Sequence, residues 1–551
     1  MLSLLLLTAI APADLVIEDA RIWSDGRTGF ARFAAVSRGK FVYVGDPNPS
    51  YIGPKTVRLD VDGLVVIPGL IDSHCHMLSG GLNLSQLQLR DVKSKAEFVK
   101  RVEDRAKTLP AGKWLLGGRW TVESWAVQEQ PTKDWIDAVT GDRPVYLSRM
   151  DGHSALVNSA ALALARIGKN THAPEGGVID RDAQGNPTGI LRETAMSLVS
   201  RHIPPVSLQD KVAALKKAMA HANSMGITAV SDIGPISDLG VYALAKDSLS
   251  VRFSLYPTAD DWEGASKLAK EFNSSWAPLI PKAGEPEVRV RGFKAYFDGS
   301  LGSRTAYMRE PFLGNPPDKP DWRGLPMPIA MNGTFKRNAM AAQKSGFQTI
   351  AHAIGDEANN ILLNQLFQTY PNLKTARNRS EHAQHLLPGD IARFGRLGVI
   401  ASMQPYHKAD DGRYAEGYIG EARSRSSFAF KWLLDEGAVL AFGSDWPVVS
   451  SNPFLGMEAA VTGRILPNAQ YPTPNTRTWQ TQENLTVADA LRAYTSGGAY
   501  AMFMENQIGR IAPGLLADFV VLDRSPFDRY AEWSEMKPVA VYVGGRKVFG
   551  K

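Results

Sequence analysis

The chain has 551 residues, of which 44% are hydrophobic and 21% charged, which is the composition of a globular protein long enough for more than one domain. The net charge is +6, but Lys and Arg are scattered among nearly as many acids, without a basic run or interleaved aromatic residues, so a nucleic-acid-binding surface is not expected. The single cysteine, Cys75, excludes an intramolecular disulfide.

Residues 1–13 begin with a leucine-rich run and end in small residues, Ala9-Ile10-Ala11-Pro12-Ala13, which favours cleavage by a signal peptidase. The segment is too short to cross a bilayer as a helix, and no other stretch predicts a transmembrane span. No Lys or Arg precedes the apolar run, which departs from the usual signal peptide. We expect a signal peptide and an exported, periplasmic or secreted protein; without the leader the protein would be cytoplasmic.

Residues 14–66 and 506–551 share a pattern of short apolar strands separated by Gly, Asp and Pro. Strands are predicted at 15–17, 34–36 and 41–46 near the start, and at 517–523 and 539–545 near the end. The simplest assembly joins the β segments from both ends of the chain. We therefore predict a small β-sandwich built from both termini.

Residues 67–505 alternate apolar strands with helical stretches, which is the pattern of parallel βα units. An apolar run at 64–71 provides the first strand, and seven more are predicted at 226–232, 251–256, 290–296, 349–352, 379–382, 399–403 and 439–445. Eight such strands predict an α/β fold of the (β/α)8 TIM-barrel type, with its active site at the carboxyl ends of the strands. A late helix opened by Thr486 and Asp489 would complete it.

The stretch from about residue 79 to 215 is too long for a connection between two barrel strands. It has strand candidates of its own at 114–117 and 145–148. We predict an inserted subdomain that covers the barrel mouth and supplies contacts to the substrate.

Metal-binding side chains lie at the ends of predicted strands. The first strand leads into His74 and His76, and because side chains alternate along a strand, both imidazoles point the same way. His352, His382 and Asp445 end three later strands, so parallel topology brings them to the same rim. Imidazole and carboxylate are ligands of zinc and its first-row neighbours. We therefore predict a divalent metal site, expected to hold zinc.

Several motifs resemble a known family. The stretch 68–77, together with Lys294, His352, His382 and 443–447, resembles the amidohydrolase superfamily of metal-dependent hydrolases. More narrowly, three stretches resemble its family 3, which includes N-substituted formamide deformylases: 151–155, 297–306 and 403–407. The resemblance covers essentially the whole chain after the leader, including both terminal β segments.

This resemblance implies a role for each matching ligand. His74 and His76 would bind the more buried metal ion. His352 and His382 match the histidines of a second metal site. Asp445 matches an aspartate that binds metal and handles the proton during catalysis.

Lys294 matches a lysine that is carboxylated and bridges both ions in family members with two metals. The alternative is a salt bridge from Lys294 to Asp298 or another acid, because a buried ammonium is costly without a partner. One ion would then be held by His74, His76, His352 and Asp445.

Further side chains are candidates for substrate binding. His153 and His407 lie in motifs that the resemblance marks as pocket-facing. Arg304 follows a glycine-rich turn and would either orient an anionic substrate or pair with Asp298. Apolar walls would come from three tryptophans: Trp120, Trp125 and Trp446.

The expected function is hydrolysis of a C–N bond in an amide-like small molecule by metal-activated water, with Asp445 passing a proton to the leaving nitrogen. Alternatives on the same scaffold are a metal-dependent esterase, lactonase or phosphotriesterase, a hydrolytic deaminase, and a noncatalytic barrel. The expected partner is a small molecule rather than nucleic acid. The sequence leaves open whether one or two ions are bound, and it is compatible with a homo-oligomer.

Overall fold

The structure is a computed structural model that describes residues 10–25, 29–120, 122, 125, 127, 129–149, 154–174, 177–276, 284, 286–315, 317, 319–370, 372–465, 477–528 and 531–550. Residues 1–9 of the predicted leader lie outside this set. No helix in the described part of the chain is long and apolar enough to cross a membrane. Two compact units are present. The second unit is formed by Leu78–Leu215, where the sequence predicts an insertion, and the first unit contains the rest of the described chain.

The strands, numbered along the chain, are β1 (Leu15–Glu18), β2 (Arg21–Trp23), β3 (Phe30–Ala31), β4 (Phe33–Ser37), β5 (Lys40–Gly45), β6 (Val57–Asp60), β7 (Val65–Pro68), β8 (Leu70–Cys75), β9 (Leu87–Gln88), β10 (Leu115–Trp120), β11 (Val145–Arg149), β12 (Ser154–Val157), β13 (Gly177–Arg181), β14 (Pro187–Glu193), β15 (Ile227–Asp232), β16 (Arg252–Leu255), β17 (Val288–Val290), β18 (Gly292–Tyr296), β19 (Gln348–Ala353), β20 (Arg379–His382), β21 (Ile400–Met403), β22 (Leu440–Phe442), β23 (Phe519–Leu522), β24 (Pro538–Val543) and β25 (Arg546–Phe549).

The α-helices are α1 (Met77–Leu84), α2 (Lys95–Thr108), α3 (Asp137–Thr140), α4 (Ser159–Leu164), α5 (Ser197–Ser200), α6 (Leu208–Ser224), α7 (Leu239–Ala245), α8 (Trp262–Trp276), α9 (Pro328–Met331), α10 (Thr334–Lys344), α11 (Asp356–Thr369), α12 (Leu373–Ala376), α13 (Pro388–Leu397), α14 (Pro405–Asp411), α15 (Ala415–Ile419), α16 (Glu421–Ser424), α17 (Phe430–Asp435), α18 (Pro453–Thr462), α19 (Val487–Ala493) and α20 (Ser496–Ala501).

Two sheets are built from the chain ends. One has the order β5-β4-β1-β6, and the other has the order β25-β24-β23-β7-β2-β3, which mixes strands from both ends. Their buried side chains share one hydrophobic cluster, which includes Val36 and Phe41 from the first sheet and Val66 and Phe519 from the second. Phe519 stacks on Tyr542 with 4.4 Å between ring centroids. This shared core between two sheets agrees with the predicted β-sandwich of both termini.

The apolar run at 64–71, predicted as one strand, is two strands in the structure. β7 pairs with β23 in a terminal sheet, whereas β8 pairs with β15 in a parallel sheet. Gly69 separates them, and a Cβ atom there would lie only 2.2 Å from Oγ1 of the buried Thr228. The prediction of one continuous strand was wrong, because an apolar run does not reveal where its hydrogen-bond partners change.

Among the described residues, nine parallel segments occupy the positions of the eight predicted strands. They form one sheet of order β17-β16-β15-β8 and another of order β18-β19-β20-β21-β22. Arg291, between β17 and β18, donates its N–H to Leu255 in β16 at 2.9 Å and accepts from Gln348 in β19 at 2.9 Å. After β22, Asp445 donates its N–H to the carbonyl of His74 in β8 at 2.6 Å. The carboxyl ends of β8 and β22 are therefore neighbours.

The predicted late helix is present as α19 and is capped as expected. The hydroxyl of Thr486 accepts a hydrogen bond from the N–H of Asp489 at 3.1 Å and donates to its carboxylate at 2.6 Å. The first of these bonds satisfies a backbone donor that the first helical turn leaves open. The prediction of this helix start is confirmed.

The second unit contains one six-stranded sheet of order β13-β14-β12-β11-β10-β9. The strands predicted at 114–117 and 145–148 are present as β10 and β11, which pair in parallel. A hydrophobic cluster joins α2 to this sheet and includes Phe98, Leu115 and Leu147. This unit therefore has a hydrophobic core of its own.

Candidate metal centre

His74 is oriented by a buried ion pair. Arg379 and Glu381, both buried in β20, interact at 2.6 Å. Glu381 also accepts a hydrogen bond from Nδ1 of His74. Because an ionised carboxylate only accepts, Nδ1 carries a proton, and Nε2 is the ring nitrogen left to face a metal. Arg379 is held in turn by the hydroxyls of Ser231 and Ser402, each at 3.0 Å.

The other three histidines repeat this arrangement. One ring nitrogen of each donates to a protein acceptor: His76 to the carbonyl of Ile233 at 2.9 Å, His382 to the side-chain oxygen of Gln404 at 2.7 Å, and His352 to the carbonyl of Gly299 at 3.0 Å. These bonds fix the tautomer, because an acceptor atom requires the proton to be on the nitrogen that faces it. In His352 and His382 the second nitrogen therefore has a lone pair available for a metal, whereas Nε2 of His74 and Nε2 of His76 face the carboxylate of Asp445.

The four histidines and Asp445 lie together at the carboxyl ends of the parallel strands. Oδ1 of Asp445 lies 3.4 Å from Nε2 of His74 and 3.1 Å from Nε2 of His76. Ligand atoms of His74, His382 and Asp445 all lie within 4.8 Å of one another. The ring centroids of His352 and His382 are 4.4 Å apart. The structure thus brings together the metal-binding group predicted from the strand ends.

This geometry fits a divalent metal. Two ligand atoms that each bind one tetrahedral ion at roughly 2.0–2.2 Å lie about 3.4 Å from each other. Nε2 of His74 and Oδ1 of Asp445 are 3.4 Å apart. Imidazole nitrogen and carboxylate oxygen form a donor set that suits zinc. His382 and Asp445 also have positive φ angles, of 75° and 59°, which residues with side chains adopt infrequently and which cost backbone strain. His74, His382 and Asp445 are therefore the group best placed to hold an ion.

The charges at this centre also suit a metal. Burial would raise the pKa of Asp445, but hydrogen bonds to His74 and His76 hold it well below its ordinary value. Burial lowers the pKa of His352 to about 3 and that of His382 well below its ordinary range. At neutral pH the carboxylate is therefore ionised and these two imidazoles are neutral, which are the protonation states that metal ligands need.

Lys294 projects from β18 into the same centre. Its Nζ lies 3.4 Å from Nε2 of His74 and 5.0 Å from the centre of the Tyr296 ring. Burial lowers the pKa of Lys294 to about 8, although the charges of Glu381 and Asp445 act in the opposite direction. Part of the Lys294 population is therefore a neutral amine near physiological pH.

Asp298, the predicted alternative partner of Lys294, binds backbone N–H groups instead. Its carboxylate accepts three backbone N–H groups: from Tyr307 at 2.9 Å, Ile354 at 3.0 Å and Gly355 at 2.7 Å. Burial raises the pKa of Asp298 to about 7, and these three hydrogen bonds oppose the shift. Asp298 thus holds the turn after β19 and does not form the predicted salt bridge with Lys294.

Arg304 is engaged by neighbouring loop residues. It donates to the carbonyls of Leu313 at 3.0 Å and Gly314 at 3.2 Å. Its guanidinium lies 4.3 Å from the centre of the Tyr418 ring. The alternative pairing of Arg304 with Asp298 is therefore replaced by these contacts, and its role in orienting an anionic substrate stays a prediction.

His407 faces the metal centre. Its Nε2 lies 4.0 Å from Oδ2 of Asp445, and its ring is parallel to that of His382 with 6.1 Å between centroids. This nitrogen is buried and has no hydrogen-bond partner among the described residues. A buried ring nitrogen without a hydrogen-bond partner among the described residues, beside Asp445, is available to a substrate, and the binding role of His407 stays a prediction.

Two of the predicted apolar walls are core residues. Trp120 is 1% exposed and donates its indole N–H to Leu147 at 3.3 Å. Trp125 is buried and donates to Val92 at 2.7 Å. Because such buried side chains present no surface to a substrate, the prediction that Trp120 forms a pocket wall is corrected to core packing. The other candidate, His153, lies outside the described residues.

The residues that orient the ligands were not predicted from sequence. Glu381 and Gln404 each bind an imidazole, and Asp72 accepts the N–H of Ser444 at 2.9 Å next to Asp445. Glu381 is adjacent to His382 in sequence, and Gln404 opens the stretch that contains His407. This proximity to predicted ligands was the available signal, but the pairings depend on distances between strands that are remote in sequence.

Comparisons with known proteins agree with this site. A sequence model of the amidohydrolase family (Amidohydro_3) matches residues 59–549. The chain is 36% identical over 560 residues to the protein LONG AFTER FAR-RED 3 of Arabidopsis thaliana, covering 98% of this chain and 92% of that protein. It is 26% identical over 553 residues to the N-substituted formamide deformylase of Arthrobacter pascens, covering 97% of each.

Among solved structures, an uncharacterised metal-dependent hydrolase from Pyrococcus horikoshii shares the fold. The TM-score is 0.73 at 24% sequence identity, and the match covers 95% of this chain and 99% of that one. The family match spans every strand from β7 to β25, including all the parallel strands, and every described ligand of the metal centre. The chain therefore belongs to the amidohydrolase family of metal-dependent hydrolases.

Proposed function

We propose that this protein is a zinc-dependent hydrolase that cleaves a C–N bond of an amide-like small molecule with water. The observation that carries the proposal is the convergence of four imidazoles on Asp445, each with one nitrogen already bound to a protein acceptor. A tautomer that is fixed by a hydrogen bond at the other ring nitrogen is typical of a metal-binding histidine. The similarity to an N-substituted formamide deformylase supports a C–N bond as the target.

The proposal includes one closed (β/α)8 barrel made from the two parallel sheets. Arg291 binds β16 and β19 through its backbone, which supports continuity between the sheets. The hydrogen bond from Asp445 to His74 supports closure between β22 and β8. In such a barrel the metal centre lies at the carboxyl ends of the strands, where barrel enzymes carry their active sites.

The mechanism assigns a proton-transfer role to Asp445. A divalent ion at this centre would lower the pKa of a water molecule from about 15.7 toward 7 and polarise the scissile carbonyl. Asp445, kept ionised by its neighbouring imidazoles, takes the proton from the attacking water and passes it to the leaving nitrogen. This transfer is needed because an amine leaves poorly as an anion, and general acid–base catalysis contributes roughly 10²–10⁴-fold.

Lys294 is proposed to be carboxylated and to bridge two ions. Its neutral amine would add to the carbon of CO2, forming an N–C bond and releasing one proton, so that a buried cation becomes an anionic oxygen ligand. The lowered pKa of Lys294, about 8, and its 3.4 Å distance from Nε2 of His74 support this assignment. An unmodified Lys294 would leave a buried ammonium beside a metal ligand, which is electrostatically unfavourable.

Hydrolysis assays test the bond type. Protein purified without added metal is assayed on N-formyl, N-acyl and cyclic amides, with matched esters and phosphotriesters and with an ammonia-release assay for deamination. We expect turnover of amides that is lost on chelation and restored by zinc. Turnover of esters or phosphotriesters but not amides, or release of ammonia alone, would replace the proposed reaction, and metal binding without any hydrolysis would indicate a noncatalytic barrel.

Elemental analysis and ¹³C NMR in ¹³C-bicarbonate test Lys294. Lys408 is a matched control: it is also buried, with its pKa lowered by burial to about 8, but its Nζ donates to the carbonyl of Gln480 at 3.1 Å. We expect about two ions per chain and a carbamate signal, both reduced in Lys294→Ala and both retained in Lys408→Met. Unchanged metal content and signal in Lys294→Ala would contradict the bridging role.

A further inference from the structure

A cavity of about 600 Å³ opens beside Lys294. It lies in the first unit, between the loops that follow β15 and β16, the end of β18 and the start of α9. The described residues that line it include Ile236, Thr258, Tyr296, Met327, Pro328 and Ile329. Its volume falls within the range of roughly 300–1,000 Å³ that small-molecule sites occupy.

Tyr296 connects this cavity to the metal centre. Lys294 and Tyr296 are two residues apart in β18, so their side chains project from the same face of the strand. The Tyr296 ring lies 5.0 Å from Nζ of Lys294, and its centroid is 5.6 Å from that of His352. Tyr296 is 40% exposed, so it presents surface to a bound molecule. A substrate whose scissile bond lies at the metal centre can therefore extend past Tyr296 into the cavity.

The cavity lining is poorly suited to an anion. Among its described residues the charged groups are Lys294 at the inner end and Asp260, which is exposed. Lys294 already faces His74, and Asp260 would repel a carboxylate. The remaining walls are largely aliphatic, with contributions from Ile236, Met327 and neighbouring residues. Because Lys294 lies at the inner end, an anionic group placed against the outer walls would lose part of its hydration without a cation beside it, which is unfavourable.

We propose that this cavity binds an uncharged, mainly apolar substituent of the substrate, such as an aryl or branched alkyl group. The assignment rests on the proposed function for the reaction and adds the substrate class: amides with a neutral hydrophobic substituent, in preference to those with a carboxylate at the same place. Partial burial of the substituent against these walls supplies the selectivity, since apolar surface is removed from water without leaving a charge unpaired.

Binding of two non-hydrolysable ketones to the protein as purified tests this inference. The probes are 4-phenylbutan-2-one and its para-carboxylated form, which differ only in charge at the ring and contain no C–N bond. Isothermal titration should show the neutral ketone binding at least about tenfold more tightly, the discrimination expected when a buried group lacks its partner. Because the probes do not report hydrolysis, an incorrect bond type would leave this result unchanged.

Two methionines one helical turn apart provide a matched pair of variants. Met327 lines the cavity, whereas Met331 is 57% exposed at the end of α9 and is not among the lining residues. Met327→Lys introduces a cation into the cavity. The ratio of the two affinities should shift at least about tenfold toward the carboxylated ketone, because the new ammonium can pair with its carboxylate. Met331→Lys should bind both probes like the unmodified protein.

Three outcomes would overturn the inference: equal affinity of the unmodified protein for both ketones, tighter binding of the carboxylated ketone, or the same effect from both lysine variants. A failure of hydrolysis with retained ketone selectivity would instead count against the proposed reaction alone. Urea unfolding of Met327→Lys and Met331→Lys, compared with the unmodified protein, establishes that both variants are folded.

Discussion

The two ends of the parallel strands both bury charged groups, but they use them differently. At the start of β16, Arg252 donates to both carboxylate oxygens of Asp518, at 2.7 and 2.8 Å, and to the carbonyl of Gly284 at 2.9 Å. Asp518 also accepts the N–H of Gly544 at 2.7 Å. At the opposite end, each imidazole around Asp445 uses one ring nitrogen to bind an acceptor outside the centre and has the other inside it, where Nε2 of His76 lies 3.1 Å from Oδ1 of Asp445.

This difference shows that buried charge alone does not mark a functional site. Arg252 and Asp518 are 1% and 3% exposed, as buried as His74, yet their hydrogen bonds are directed at each other and at the backbone. A closed pair of this kind joins the parallel sheet to the terminal sheet that contains β23. The metal centre is distinguished by possible ligand atoms that share one small space, those of His74, His382 and Asp445 lying within 4.8 Å of one another, which is where an ion would complete the arrangement.

The largest effect is expected from Asp445→Asn. Loss of the proton acceptor should lower kcat by roughly 10²–10⁴-fold, as measured by steady-state hydrolysis of the best amide, with bound metal quantified in the same sample. Asp411→Asn is the control, since Asp411 is also a buried acid but bonds Gln384 and Tyr414. Near-normal turnover by Asp445→Asn with full metal content would remove Asp445 from the mechanism.

Arg252→Met tests the buried ion pair at the amino ends of the parallel strands. Asp518 would be left buried without its partner, so the free energy of unfolding should fall by about 3–5 kcal/mol, while kcat of the folded protein should stay unchanged. Urea unfolding and steady-state kinetics measure the two quantities. The double variant Arg252→Met/Asp518→Leu should regain much of the stability, and a loss of kcat without loss of stability would contradict the structural role.

Gln404→Met tests how a ligand of the metal centre, His382, is oriented. The substitution keeps the side-chain length but removes the acceptor that fixes Nδ1 of His382. Zinc affinity, measured by competition with a chelator, should fall by about 10–100-fold. Gln384→Met, at another buried glutamine, should leave zinc affinity unchanged; equal losses in both variants would mean that Gln404 acts only through packing.

The smallest expected effect is a pH dependence of stability from Glu381. Burial would raise the pKa of Glu381, but Arg379 and then His74 hold it well below its ordinary value of 4.5. Because the folded-state pKa is depressed, the stabilisation is present above about pH 4.5 and is lost as the pH falls below it, by at most roughly 1.4 kcal/mol per pH unit. Thermal unfolding of metal-free protein between about pH 5 and 3 measures this slope. Glu381→Gln should flatten it, and an identical slope in both proteins would assign the effect elsewhere.

Sequence reasoning could find the ligands because their positions follow from topology. His352, His382 and Asp445 lie at or just after the ends of parallel strands, and such ends meet at one edge whatever the intervening sequence. Lys294 was assigned only through the family resemblance, since nothing in its local pattern distinguishes it from a lysine in an ordinary strand. The amidohydrolase family itself was also predicted, and the comparisons confirm it.

The remaining features depend on distances that a sequence pattern does not contain. The break at Gly69 is invisible in a run of uniformly apolar residues, because only the change of strand partners defines it. The pairing of Glu381 with His74 joins positions 307 residues apart. Trp120 was predicted at a pocket because aromatic residues serve both in cores and at binding sites, and only its 1% exposure distinguishes the two.

Anomalous diffraction at the zinc edge, from crystals of protein purified without added metal, tests the central claim most directly. We predict a peak within roughly 2.0–2.2 Å of Nε2 of His74 and of a carboxylate oxygen of Asp445, with Nδ1 of His74 still bonded to Glu381. A metal bound by other residues, or zinc-soaked crystals without a peak between His74 and Asp445, would contradict the account.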